Sequence, residues 1–444
     1  MRVVKLAFVV VLAWTVCLTS MALASTPGGP VGQVAATYTP SIHWTGTTQQ
    51  VRKMVQCGAN MYAVGSFTQI DQGGVTTTRN GAFSFSATTG KLTAWNPNVN
   101  GTVNGVALST DCSTAYLGGS FTTVGTSAAV DIVAVDTATG AIRSAFGHSA
   151  NNKVETLVMV AGHLIVGGYF TSLNGGTQKY LTSLNPNTGA SDNYVTTSMA
   201  GTYVYTDQGG NHAQGGATSV YNMELSPNSA KLLVMGTFTS VAGQHRQQIF
   251  MLDLGSEVTL DNWYSAEFNA YCAVTEPFYL RAAAWSPDGA TVYTAATGKK
   301  PASGPGYNVN DPRAGLCDAA AAFPSTSVST QTHKWVNYNG CDSYYSIAAD
   351  ANDVYVGGHE RWVNNSNGCN VAGPGALSRP GISALSPATG LGTAWNPTRD
   401  RGIGADDLMI TTSPAGLWVS DDNANNNTLL CAKAKHPGLC FLPA

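Results

Sequence analysis

Charge is what this chain has least of. Asp, Glu, Lys and Arg together make up 11% of its 444 residues, and the formal net charge is −3. A protein that neutralises nucleic-acid phosphates carries a basic face or stripe, so no nucleic-acid partner is expected. Catalytic signatures are missing as well: there is no G-x-S-x-G elbow, no H-E-x-x-H and no EF-hand-like aspartate pattern. The cysteines come without C-x-x-C or H-x-x-x-H, so zinc is not their expected role and no metal or cofactor is expected. Beyond residue 24 no apolar run approaches the ~20 residues of a membrane helix, so no membrane span is expected.

The first 24 residues differ from the rest. Arg2 and Lys5 precede an apolar run over residues 6–18, and Ala22, Leu23 and Ala24 close it. This is the pattern of a secretory signal peptide cleaved after Ala24, and it predicts a secreted, extracellular protein. Cys17 lies inside the run without the small residue that a lipoprotein signal places before it. Residues 25–40, with Pro27, Gly28, Gly29, Pro30 and Pro40, read as a linker into a first strand near Ile42, either lending a strand to the fold or staying mobile. Eight cysteines follow, an even number that suits disulfides in an exported chain. Cys431 and Cys440 flank a short segment with Pro437 and Gly438, as a terminal staple would. Cys272 with Cys317, and Cys341 with Cys369, each enclose a candidate insertion. Cys57 and Cys112, at the same place in successive repeats, are the remaining pair.

Those repeats are the main signal. AVGSFT ends at Thr68, LGGSFT at Thr122, VGGYFT at Thr171 and VMGTFT at Thr239, while a variant, VGGHER, ends at Arg361. A diverged copy surrounds TVYTAATGK at 291–299 and a last one GLWVSDD at 416–422, making seven. Each copy runs apolar strand, turn, second strand ending in Gly-x-Phe-Thr, polar loop and third strand. A fourth element follows a Thr-Gly turn, as in TTGKLTAWNP at 88–97 and ATGLGTAWNP at 388–397. Four short strands in roughly 50–60 residues are the size of a propeller blade.

Physics accounts for this grammar. A propeller sheet packs a neighbouring blade on each face, so its strands read as apolar runs and not as clean alternation. Glycines such as Gly118 and Gly119 then allow close backbone approach, and Phe67, Phe121, Phe170 and Phe238 are expected to pack between blades. A sandwich would not repeat a four-strand unit seven times, and a β-helix would have a shorter period. The expected fold is all-β: a single β-propeller of about seven four-stranded blades over residues 41–444.

The Gly-x-Phe-Thr strands, the Trp-Asn-Pro ends at 95–97 and 395–397, and the segments GGHERW (357–362), PGALSRPGISAL (374–385) and WNPTRDRGIGADDL (395–408) resemble those of secreted bacterial β-propellers with delta-sixty-like repeats, common in actinobacteria. The pattern of that group implies an arginine opening the third strand, met by Arg79, Arg246 and Arg379; the second copy has Ala129 and Val130 there. The resemblance implies fold and export, and no particular activity, because function resides in sites and not in folds.

Propellers usually bind at the mouth of the axial channel, where the innermost strands begin. Aligning those strands on the glycine marker brings Arg52, Asn104, Glu155, Tyr221, Arg281, Tyr345 and Asp406 to one position, a polar ring of mixed sign suited to a neutral or zwitterionic ligand such as a glycan. The same side chains could instead pair with one another and close the channel. A second cluster is His359, Glu360, Arg361 and Trp362, with Arg399, Asp400, Arg401, Asp406 and Asp407 downstream. His359 and Arg361 are ligand-binding candidates because they depart from the repeat; the competing reading is an ion-pair network replacing phenylalanine packing. Asp406 and Asp407, adjacent on a strand, are not expected to face one site, which weakens a two-carboxylate glycosidase. The leading functional reading is an extracellular binding or scaffold protein for carbohydrate or cell-surface material, with a glycan or a cell-surface protein as partner. The alternative is a polysaccharide-active enzyme at the channel mouth.

Overall fold

A computed structural model describes residues 29–444 apart from 203, 207–211, 215, 270–271, 273–277, 300–314, 423–430 and 432–435. The expected signal peptide and its cleavage site lie outside the described residues. Among the described residues, seven antiparallel sheets of three or four strands succeed one another along the chain, with five smaller sheets of two or three strands beside them. The innermost strands of the seven are Val51–Cys57, Thr102–Leu108, Val154–Val160, Val220–Leu225, Tyr279–Trp285, Tyr344–Ala349 and Asp407–Thr412. Each packs against the innermost strand of the next sheet, and the last packs against the first. The ring is closed, and the architecture is a β-propeller of seven blades.

The strands buried between blades are apolar on both faces, as two-sided packing requires. Leu232, Leu233, Val234 and Met235, all in the second strand of blade four, are wholly buried. The motif phenylalanines Phe67, Phe121, Phe170 and Phe238 are core residues, and Phe67 and Phe238 meet Phe83 and Phe250 edge-on at 5.2 Å. The outermost position is thinner than expected. Blades four and five have four full strands. In blades one, two, three and six the residues after the Thr-Gly turn contribute one bridge each, for example Phe85 with Leu92 and Leu385 with Gly392. The chain there soon turns away, and in blades one and six it does so into Trp-Asn-Pro.

Tryptophan indoles tie several blades to their neighbours. The indole N–H of Trp95 donates to the carbonyl of Asp136 in blade two (3.1 Å), and that of Trp335 to Pro387 in blade six (2.9 Å). Trp395 of blade six donates to Val31 (2.9 Å) and Gly32 (3.1 Å). This last contact bears on residues 25–40, expected to lend a strand to the fold or stay mobile. From residue 29 the segment lies against blade seven, with Gly32 N–H on the Pro443 carbonyl and Ala36 N–H on that of Phe441. Val31 and Ala35 are buried with Trp395 and Leu417.

Four disulfides join Cys57–Cys112, Cys272–Cys317, Cys341–Cys369 and Cys431–Cys440. The second encloses residues 273–277 and 300–314, which lie outside the described residues, and the third ends in the long connection between Trp362–Val363 and Leu377–Ser378. Each spans the two inner strands of its own blade, five or six, because its first cysteine precedes the innermost strand and its second follows the second strand. Cys57–Cys112 staples blade one to blade two. Closing a loop of that length restricts the unfolded chain, so the double variant C57S/C112S should lose about 2–4 kcal/mol in denaturant unfolding. An unchanged midpoint would show that the neighbouring blades hold this junction without the bond.

Candidate functional site

One irregularity recurs around the ring. In six innermost strands the pairing with the second strand skips one residue: between Val51 and Lys53, Val103 and Gly105, Val154 and Thr156, Val220 and Asn222, Leu280 and Ala282, and Tyr344 and Ser346. In blade seven Asp407 pairs with Ser420 while Asp406 N–H donates to the same residue's carbonyl, so two residues again oppose one. These are β-bulges. The extra residues are Arg52, Asn104, Glu155, Tyr221, Arg281, Tyr345 and Asp406, the same seven that alignment on the glycine marker brings together.

The glycine marker and the bulge are two sides of one contact. Gly65 pairs with Val51 and Gly119 with Val103, just before the bulge. A Cβ on either glycine would lie 2.0 or 2.1 Å from the carbonyl oxygen of Gln50 or Thr102. In the blades that keep the marker, the inner strand swings in against a second strand that has no side chain there, so the glycine carries the register; in blade five the same bulge stands beside Ala296.

All seven residues line one open cavity of about 610 Å³ at the start of the inner strands. Lys53, Lys153, Tyr169, Asn222, Tyr279 and Asp407 join them. Asp406 and Asp407 therefore do face one site, contrary to the expectation from strand alternation, because the bulge suspends that alternation. The side chains also link around the ring, although they leave the channel open. Arg52 donates to Asn104 Oδ1 (3.0 Å), Asn104 Nδ2 to the Val154 carbonyl (3.3 Å), and the Tyr221 hydroxyl to the Leu280 carbonyl. Arg281 lies over the Tyr345 ring at 5.0 Å. Lys153 pairs with Glu155 (2.6 Å) and lies over Tyr169, and Lys53 pairs with Asp407 (2.8 Å).

Burial raises Asp406 to about 7, against the pull of Arg52 and Arg281. Its Oδ2 is out of contact with water and has no hydrogen-bond partner. Burial likewise lifts Glu224, deeper in the channel, to about 7, with Lys53 working the other way. Lys53, Asn222, Asp406 and Asp407 also border a second cavity of about 570 Å³, whose walls include Leu225, Pro227, Trp285 and Met409. The axial channel thus has a polar mouth and a more apolar one. Among the described residues no group of three or more His, Cys, Asp or Glu side chains is arranged to hold a metal ion, and no helix is long and apolar enough to cross a membrane.

His359 and Arg361 lie apart, lining neither cavity. Arg361 grips Asp342 with Nε (2.8 Å) and Nη2 (3.0 Å), and Arg401 joins the same carboxylate (2.8 Å) while donating Nε–H to the His359 carbonyl (2.8 Å). Burial and Arg401 lower His359 below the usual imidazole range. The sequence reading missed Asp342, whose role is clear from the other blades. There Asn100 and Asn151 each donate to the hydroxyl of the motif threonine, Thr122 or Thr171 (both 2.8 Å), and accept its backbone N–H (2.9 Å). In blade six the threonine has become Arg361 and the asparagine Asp342, so an ion pair replaces an amide–hydroxyl pair. The compensating exchange is the signal that could have found it. Arg79 and Arg379 brace their blades from the third-strand entry, donating to the carbonyls of Thr93 (3.1 Å) and Thr393 (2.7 Å).

Solved structures are similar to the chain over most of its length. The structure of U3-55K is similar with a TM-score of 0.50 and 9% identity, over 92% of this chain and all of that one. The WD40 β-propeller domain of Doa1 (TM-score 0.47, 12% identity, 92% and 96% covered) and the RRP9 WD40 repeats (0.49, 10%, 93% and 99%) are also similar. At such identities the likeness concerns the fold alone. No protein-family model matches the chain, and no curated protein is similar to it.

Proposed function

We propose that the protein is an exported binding or scaffold propeller that takes carbohydrate or cell-surface material at the polar mouth of its axial channel. One observation carries this reading: seven bulges aim seven side chains into a single open cavity that also holds the rings of Tyr169 and Tyr279. Tyrosine faces suit sugar rings, and the amides and charged groups between them suit hydroxyls. The cavity volume lies within the roughly 300–1,000 Å³ of small-molecule sites. The four disulfides accord with an oxidising, extracellular setting.

A glycan array probed with the mature protein should give hits, and Tyr345→Ala should weaken them about tenfold through the loss of ring stacking and of the support under Arg281. An empty array, with a protein partner recovered by cross-linking on whole cells, would replace the carbohydrate reading with a protein-interaction surface. Asp406 favours one second reading. A carboxyl kept protonated near neutrality is a proton donor of the kind a polysaccharide-active enzyme needs. Turnover abolished by Asp406→Asn would establish it, and absence of turnover on every glycan bound would remove it.

A further inference from the structure

The charges at the polar mouth do not cancel evenly. Lys153 is matched by Glu155 and Lys53 by Asp407. Arg52 and Arg281 have no carboxylate partner among the described residues: the first donates to an amide oxygen and the second lies over a tyrosine ring. Both act electrostatically on Asp406, which makes no ion pair with either. Two guanidinium groups on opposite sides of a cavity, each with most of its N–H donors uncommitted, form a receptor for a planar, two-oxygen anion. Tyr345, held flat under Arg281, continues that receptor as a platform for a ring. Asp406 lines the same cavity, and its buried Oδ2 takes no hydrogen bond from the protein.

Resting on the carbohydrate reading above, we infer that the ligand is an acidic sugar whose carboxylate is clamped between Arg52 and Arg281, with its ring against Tyr345 and Asp406 hydrogen-bonded to it. Asp406 serves as a donor while protonated. On ionising it places a negative charge beside the ligand's own, so affinity falls as pH rises through about 7. The groups around it are Arg52 from blade one, Arg281 from blade five, Tyr345 from blade six, and Asp422, Asp407 and Arg399 in and beside blade seven.

Calorimetric titration of the mature chain with oligogalacturonate, its methyl ester, a neutral cello-oligosaccharide and inorganic phosphate tests the inference. The acid form should bind at least about tenfold more tightly than its methyl ester, and the difference should shrink between about pH 6 and pH 8. Arg52→Gln and Arg281→Gln should each remove most of the preference without shifting thermal unfolding, while Arg281→Lys should restore part of it. Equal binding of acid and ester, or a preference for the neutral sugar, overturns the carboxylate clamp and leaves the carbohydrate reading standing. Phosphate binding with no sugar bound overturns the carbohydrate reading and with it the acidic-sugar assignment. No binding in any arm overturns both.

Discussion

Glu360→Gln should remove a large part of a loss of stability that the native protein suffers between about pH 4.5 and pH 8, further parts coming from Asp406 and Glu224, which burial raises to about 7. Glu360 stands where four other blades have phenylalanine. It is wholly buried, and neither carboxylate oxygen has a hydrogen-bond partner. Burial raises it from 4.5 to about 8, and Arg399 and Arg401 offset this only in part. The sign follows from linkage. The folded protein keeps a proton that the unfolded chain releases above pH 4.5, so the group's contribution is intact below 4.5 and is lost progressively as pH rises to about 8. At about 1.4 kcal/mol per pH unit the total is on the order of a few kcal/mol. Glutamine bears the same burial without titrating. Urea unfolding of both proteins at pH 4.5 and pH 8.5 checks this, and parallel pH dependence in the two would place the titration elsewhere.

Trp395→Ala should cost about 3–5 kcal/mol, the range for removing a large buried aromatic, and should expose residues 29–40 to protease. Trp395 packs edge-on against Tyr355 at 5.1 Å and holds the Val31 and Gly32 carbonyls through its indole N–H. Losing it leaves a void in the closing blade and two backbone acceptors without their donor. Trp395→Phe keeps most of the packing and should cost about 1–2 kcal/mol for the hydrogen bonds alone. Limited proteolysis with N-terminal sequencing reads out the segment directly. Protection unchanged in the alanine variant would mean that the segment is held by its contacts to Pro443 and Phe441 and not by the tryptophan.

Much of this molecule was legible in the order of its residues. The seven copies were visible because each must bury two faces and turn at the same points, and the eight cysteines pair as their positions suggested. The ring could be aligned because the marker glycine is the steric counterpart of the bulge. What stayed hidden follows from the same bulge. Strand alternation predicts that Asp407 and Lys53 point away from the channel, and a single sequence does not reveal that one residue has been added to the strand. Residues 29–40 looked like a linker because their burial depends on Trp395, more than 350 positions away. Asp342 was invisible without its counterparts Asn100 and Asn151 in view. The His359 departure did mark a change in the repeat, and that change is an internal brace around Asp342.

The repeated bulge also separates recognition from folding. The side chain of its extra residue points into the channel and not between blades, and the seven blades place Arg, Asn, Glu, Tyr, Arg, Tyr and Asp there. Each blade offers one interchangeable tooth on a fixed wheel. A chain with this scaffold could change its specificity seven letters at a time, with the wheel itself left intact.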